Sequence, residues 1–194
     1  GGRPLLPSLL ALALIACGGS SKEETPPGDD GDAVGTGCLA EPLTLALGTG
    51  VNEFIALGDG DDIAMTHGGQ GGWHIDVAGR LGGTEQLVLV EVAFVDTQTG
   101  VQIAGEQQPD RLALVDWDDT RCTGDFFATR VYVDDVVTAL APGAMTGEEV
   151  FEETCSYDDV DVTMTVTVTV LEADPQVSVS QSMPLRLQLD PSDR

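Results

Sequence analysis

The chain has 194 residues, room for one domain and a tail. It carries 33 acidic side chains against 8 basic ones, a net charge of -25, and Lys22 is its only lysine. Such a surface repels phosphate, which excludes nucleic-acid binding and docking to anionic lipid through a basic face. With 42% hydrophobic residues and 24 glycines, the chain is neither disordered throughout nor collagenous. No apolar run reaches the roughly 18 residues that a spanning helix needs. Residues 4–16 form an apolar stretch that ends in small residues, as a secretory h-region does. Arg3 is the only charge before it and there is no initiator Met, so the true start is expected upstream.

Leu14-Ile15-Ala16-Cys17 resembles the lipobox of bacterial lipoproteins: bulky at -3, small at -1, Cys at +1. The resemblance implies a lipoprotein-type signal peptide over residues 1–16. It also implies lipid on the Cys17 sulfur and an acylated Cys17 amino terminus, so that the membrane is a partner through the anchor. Gly18 stands where enterobacterial members carry Asp for inner-membrane retention, which implies the outer membrane. The alternative is an ordinary signal peptide cut after Ala11-Leu12-Ala13. A buried N-terminal helix is disfavoured by Pro4 and Pro7 and by the glycine-rich, acidic residues after Cys17.

Residues 18–37 hold six Gly, two Pro, two Ser and five acids, with Val34 the only large apolar residue. Burial there cannot offset ordering entropy, so residues 17–37 read as the lipidated Cys and an acidic tether. The 20 residues after Cys17 would span roughly 25 Å. Residues 38–194 are expected to fold as the domain.

From Cys38 onward the period is two. Leu43, Leu45 and Leu47 alternate with Thr44 and Ala46. In residues 72–80, Trp73, Ile75 and Val77 share one face, and His74, Asp76 and Arg80 the other. Residues 86–96 are almost continuously apolar, the pattern of a central strand buried on both faces. Residues 158–171 put Val160, Val162, Met164, Val166, Val168 and Val170 on one side, with Asp161 and a threonine row on the other. Residues 176–189 repeat the device with Val177, Val179, Met183, Leu185, Leu187 and Leu189. Thr and Val are β-branched and favour a pleated surface. The best helical candidate is residues 147–154, a turn or two.

Turn signals at Gly58-Asp59-Gly60, Gly82-Gly83, Thr99-Gly100, Pro109-Asp110, Pro142-Gly143 and Asp174-Pro175 separate the runs. This predicts an all-β, antiparallel β-sandwich of eight to ten short strands. A four-residue connection between the two last runs predicts antiparallel neighbours, with Pro184 at an unpaired edge or a bulge.

His67-Gly68-Gly69-Gln70-Gly71-Gly72-Trp73-His74 is the most distinctive stretch. A phosphate-cradling loop needs a helix after it, whereas a strand succeeds it here, so it reads as a tight inter-strand loop with φ > 0. Residues 45–80, through Gln70-Gly71-Gly72-Trp73-His74 and Arg80, resemble a segment of secreted bacterial lipoproteins with immunoglobulin-like domains. That resemblance implies an immunoglobulin-like sandwich and export, and it carries no activity.

His67 and His74 are the only histidines, too few alone for a transition-metal site of three or four ligands. Asp59, Asp61 and Asp62, and Asp116, Asp118 and Asp119, offer hard oxygens suited to Ca²⁺. The bland reading of both triplets is solvated acidic turns, and no cofactor other than calcium is suggested. There is no Gly-x-Ser-x-Gly elbow and no His-Glu-x-x-His. Trp73 and Trp117 sit in strand-like runs and read as core. With Cys17 lipidated, export leaves Cys38, Cys122 and Cys155, of which one pair should close. The favoured pair is Cys122 with Cys155, because Cys38 abuts the tether.

The sequence therefore points to an exported, lipid-anchored protein with a non-catalytic binding or structural role at the cell envelope and an unidentified protein or glycan partner. The alternatives are a calcium-dependent adhesive or ligand-binding module and a small envelope hydrolase.

Overall fold

A computed structural model describes residues 41–68, 72–85, 87–105, 111–133, 152, 155–173 and 175–191. Eleven strands occur in chain order: β1 (Thr44–Thr49), β2 (Ile55–Ala56), β3 (Asp62–His67), β4 (Trp73–Gly82), β5 (Val88–Asp96), β6 (Gln102–Ala104), β7 (Arg111–Ala113), β8 (Asp116–Asp118), β9 (Thr123–Tyr132), β10 (Val160–Val170) and β11 (Val177–Leu189). The all-β expectation holds, and four of the strands are only two or three residues long. Glu152 and Cys155 are the helical residues among those described, so most of the candidate at 147–154 lies outside them. No helix among the described residues is long and apolar enough to cross a membrane.

The Val/Thr alternation of β10 does what its period requires. Val162, Met164, Val166, Val168 and Val170 are buried. β10 pairs antiparallel with β11 from Val160 opposite Leu187 to Val170 opposite Val177, without a register slip. The threonine and serine rows share the other face. Thr165 meets Ser182 at 2.9 Å, Thr167 donates to Ser180 at 3.0 Å, and Thr169 meets Ser178 at 2.8 Å. The opposite edge of β10 takes β5 antiparallel, Val162 opposite Asp96 through Val170 opposite Val88. β5 is central in its pairing, with β6 and β7 on its other edge. It is buried fully on one face only: Val88, Val90 and Phe94 are inside, whereas Glu91 is exposed. Gln86 lies outside the described residues.

β4 organises the second half. One edge pairs with β9 along its length; the other is divided between β3 at residues 73–75 and β1 at residues 77–82. Trp73, Ile75, Val77 and Leu81 enter the core. Position 79 shares that face by the strand's alternation and is glycine there, because a Cβ would run into the Phe126 ring. Opposite it, β9 inserts one extra residue, so the register shifts between Val77 and Gly79. Ala128 takes φ 55° at this bulge. Its N–H leaves the ladder and donates to the Gly50 carbonyl at 3.0 Å.

The core is shared by β5, β10 and β11 on one side and β1, β4 and β9 on the other, with β3 hydrogen-bonded to both β4 and β11. This is a sandwich whose halves are joined through one strand. One pairing departs from the antiparallel expectation: β3 and β11 run parallel, Asp62 opposite Arg186 to Met65 opposite Leu189. The short-connection rule does not govern strands so far apart in sequence.

β11 also corrects the facing expectation. Leu185, Leu187 and Leu189 are buried, but Val179 and Met183 are half-buried and Val177 is 42% exposed. β3 pairs only with residues 186–189, so in the first half of β11 the ladder partner among the described strands is β10 alone.

Candidate functional site

The outer face of β4 carries the densest polar cluster. Pairing with β9 sets His74 opposite Tyr132, Asp76 opposite Arg130 and Arg80 opposite Asp125. The Arg130 Nε donates to Asp76 Oδ1 at 3.4 Å, and His74 Nε2 lies 3.6 Å from Asp76 Oδ2. His74 is buried and meets the Tyr132 ring edge-on at 6.3 Å, while the Arg111 guanidinium sits over that ring at 5.4 Å. Further along, Arg80 grips Asp125 with two bonds, Nε to Oδ1 at 2.7 Å and Nη2 to Oδ2 at 2.8 Å, and lies over Phe54 at 4.6 Å. The hydrogen bond to Asp125 and its charge hold the Arg80 guanidinium above its ordinary value. The pairs Asp76 with Arg130 and Arg80 with Asp125 are direct cross-strand neighbours and tie β4 to β9, whereas His74 and Asp76 lie two residues apart on β4 itself.

The Gly-rich run closes the β3–β4 hairpin. Gly68 N donates to Gly72 O at 2.9 Å, and Gly72 has φ 90°. Gly69, Gln70 and Gly71 lie outside the described residues. His67 stacks on Trp73 at 5.0 Å and is paired with it across the ladder. His74 is paired with Thr66, one residue along, so the two histidines project from opposite faces of the sheet. They share no site.

Neither acidic triplet gathers into a cation site. Asp61 accepts from Gly58 N at 2.7 Å to close a turn, and Asp62 opens β3. Asp118 accepts from the Thr120 hydroxyl at 2.5 Å, from Thr120 N at 2.9 Å and from Arg121 Nε at 2.6 Å. The Thr120 hydroxyl, with Arg121 and the Thr120 amide, draws its carboxyl down to about 2. Asp119 accepts from Trp117 Nε1 at 2.8 Å, and Asp116 pairs with Asp125 in the ladder. Among the described residues no three potential ligands converge on one point. In Asp61, Asp118 and Asp119 protein donors already take carboxylate oxygens that calcium would need.

The cysteines also differ from expectation. Cys155 is a free, half-buried thiol, pushed up by burial and then by Asp158, whereas Cys122 is disulfide-bonded. The pair Cys122 with Cys155 therefore does not form. Cys17 and Cys38 lie outside the described residues.

Two open features escaped the sequence reading. A cavity of about 630 Å³ lies between β7, β8 and the β9 bulge, beside exposed Leu112, Leu114 and Phe127. A second, of about 400 Å³, is lined by Pro42, Leu43, Val170, Ala173 and Val177 together with Glu41 and Glu85. It adjoins the uncovered start of β11.

No protein-family model matches the chain, and no curated protein matches it in sequence. Among solved structures, the chain overlaps the CooA pilin subunit from enterotoxigenic Escherichia coli. The identity is 11%, with 75% of this chain and 99% of the pilin covered, at a TM-score of 0.31. A likeness that slight assigns neither family nor function.

Proposed function

We propose that this chain is an exported lipoprotein, anchored through Cys17, whose β-sandwich does non-catalytic binding or structural work at the cell envelope. The observation that carries the non-catalytic part is the polar cluster on β4. Asp76 and Asp125 take Arg130 and Arg80 across the strand pair, and buried His74 lies between Asp76 and the Tyr132 ring, an arrangement that fixes the sheet. The lipobox-like Leu14-Ile15-Ala16-Cys17 and the acidic stretch after it support anchoring and a tether over residues 17–37. The folded domain would then begin near Cys38 and stand clear of the outer membrane.

Two measurements test this reading. Intact-mass analysis of the membrane fraction should show a diacyl or triacyl addition on Cys17, and Cys17→Ser should release or leave unprocessed the chain. A membrane-bound form with unmodified Cys17 overturns the anchor. A panel of chromogenic esters and glycosides should show no turnover. Turnover that disappears in His74→Gln, with folding intact, overturns the non-catalytic assignment.

A further inference from the structure

The first half of β11 is a regular sheet edge with no strand beside it among the described residues. Residues 177–187 pair with β10 on one side, and β3 meets only residues 186–189 on the other. Four backbone bonds fix which way each residue points. On the β10 side, Leu187 O accepts from Asp159 N at 2.8 Å. On the β3 side, Pro184 O accepts from Gly60 N at 2.8 Å, Arg186 N donates to Asp61 O at 3.0 Å, and Asp190 N donates to Met65 O at 3.0 Å. Even-numbered residues therefore direct their backbone groups away from β10. Counting back from Pro184, the N–H and C=O of Ser178, Ser180 and Ser182 all face the open side. Their close hydroxyl contacts with Thr169, Thr167 and Thr165 agree, because side chains approach most nearly at non-hydrogen-bonded pairs. The line of β3 would run past these serines if extended upstream. Instead the chain turns off at residues 58–61, where Asp61 N donates to Gly58 O and Gly58 N to the Asp61 carboxylate. Three donors and three acceptors thus face a side on which no described strand is hydrogen-bonded to them.

Edges of this kind are normally guarded by charge, proline or a bulge. Here residues 175–185 carry no charge, and the ladder with β10 shows no bulge. Pro184 ends the open stretch rather than interrupting it. At the other end the edge meets the 400 Å³ cavity, which shares Val177 with it and is lined by apolar Pro42, Leu43, Val170 and Ala173. Glu41 and Glu85 line the same cavity. A second copy of this chain would bring another net charge of -25 to the contact, whereas a cationic strand would be drawn to it.

We propose that the open edge at residues 177–183 of β11 docks an extended strand of a partner protein, alternating β-branched residues and bearing Lys or Arg where it meets the cavity holding Glu41 and Glu85. The strand adds main-chain bonds to Ser178, Ser180 and Ser182 in the mode of β-augmentation. An apolar side chain enters the cavity beside Val177, and the cationic end meets the glutamates.

The probe is the capped peptide Lys-Val-Thr-Val-Thr-Val-Lys, added to the full-length chain in detergent. Amide exchange at Ser178, Ser180 and Ser182 should slow by about tenfold or more. Val179 and Gln181, whose amides already face β10, should change little. Ser180→Pro removes the central outward donor without touching the β10 ladder, and should weaken peptide binding by about tenfold or more. Should that variant fail to fold, a peptide N-methylated on its β11-facing amides replaces it, with the wild-type chain, and should not bind. The proposal is overturned by unchanged exchange at the three serines, by equal binding of the N-methylated peptide, or by equal binding of a version with Glu for Lys. Protection of the same amides without peptide, in a chain that sediments as a dimer, assigns the edge to a second copy and overturns it too.

Discussion

Arg80 and Asp125 face each other across β4 and β9 and are joined by two near-parallel bonds, at 2.7 and 2.8 Å. The pair sits beside the β9 bulge, in the stretch of β9 that precedes Ala128. It pins the strands where an extra residue would otherwise let them slip. Arg80 is partly exposed, so solvent screens part of the attraction. Asp125→Asn should lower stability by about 1–2 kcal/mol, and Arg80→Lys should lose most of the same amount because an ammonium cannot bind both oxygens. Denaturant melts of the two variants and the double variant measure the coupling. A double variant whose loss equals the sum of the singles would show that the pair contributes nothing.

The hairpin of β10 and β11 distinguishes its faces. Val166 is buried completely, whereas Thr167 lies on the hydroxyl face and bonds Ser180 at 3.0 Å. Val166→Ala should lower stability by about 1–3 kcal/mol through lost burial and a cavity, and Thr167→Ala by about 0.5 kcal/mol. Urea midpoints order the two variants. A larger loss for the threonine change contradicts the facing.

Alkylation under non-reducing conditions should label Cys155 and leave Cys122 unlabelled. If Cys17 carries the proposed lipid, Cys38 is the cysteine left for Cys122, and peptide mapping should find the two joined. Closing that loop stabilises by roughly 4–5 kcal/mol in the chain-entropy picture, and reduction should lower the melting temperature accordingly. A Cys122 peptide joined to Cys155 would contradict both assignments.

Asp118 gives the acid limb its sign. Its folded-state value of about 2 lies below the ordinary aspartate value. Its contribution is therefore complete above the unfolded value of about 3.9 and fades as pH falls towards about 2. Asp118→Asn should flatten the loss of stability in that window and leave the slope above about pH 5 unchanged. Melting temperatures of both proteins from pH 2 to 6 make the comparison.

Alternation made β10 legible, since valine and threonine at period two leave only one way to bury the valines. The same holds for Leu45 and Leu47 in β1 and for Trp73, Ile75 and Val77 in β4. The Gly-rich run was legible as a hairpin because Gly72 needs φ > 0. In β11 the pattern misled: Val177 has the spacing of a core residue and stands 42% exposed. Period fixes which residues share a face, but burial requires another element to cover that face.

The sequence by itself determined the strand class, the alternation of faces and the charge that excludes polyanions, because these arise from local sterics and composition. Only the tertiary structure decided who pairs with whom. It ran β3 parallel to β11 over residues that sequence separates by more than a hundred positions. It set Arg80 on Asp125 and left Cys155 unpaired. It also turned the chain away at residues 58–61, opening the edge beside Ser178, Ser180 and Ser182. Contacts between distant segments depend on how the whole chain closes, and no local pattern encodes that closure.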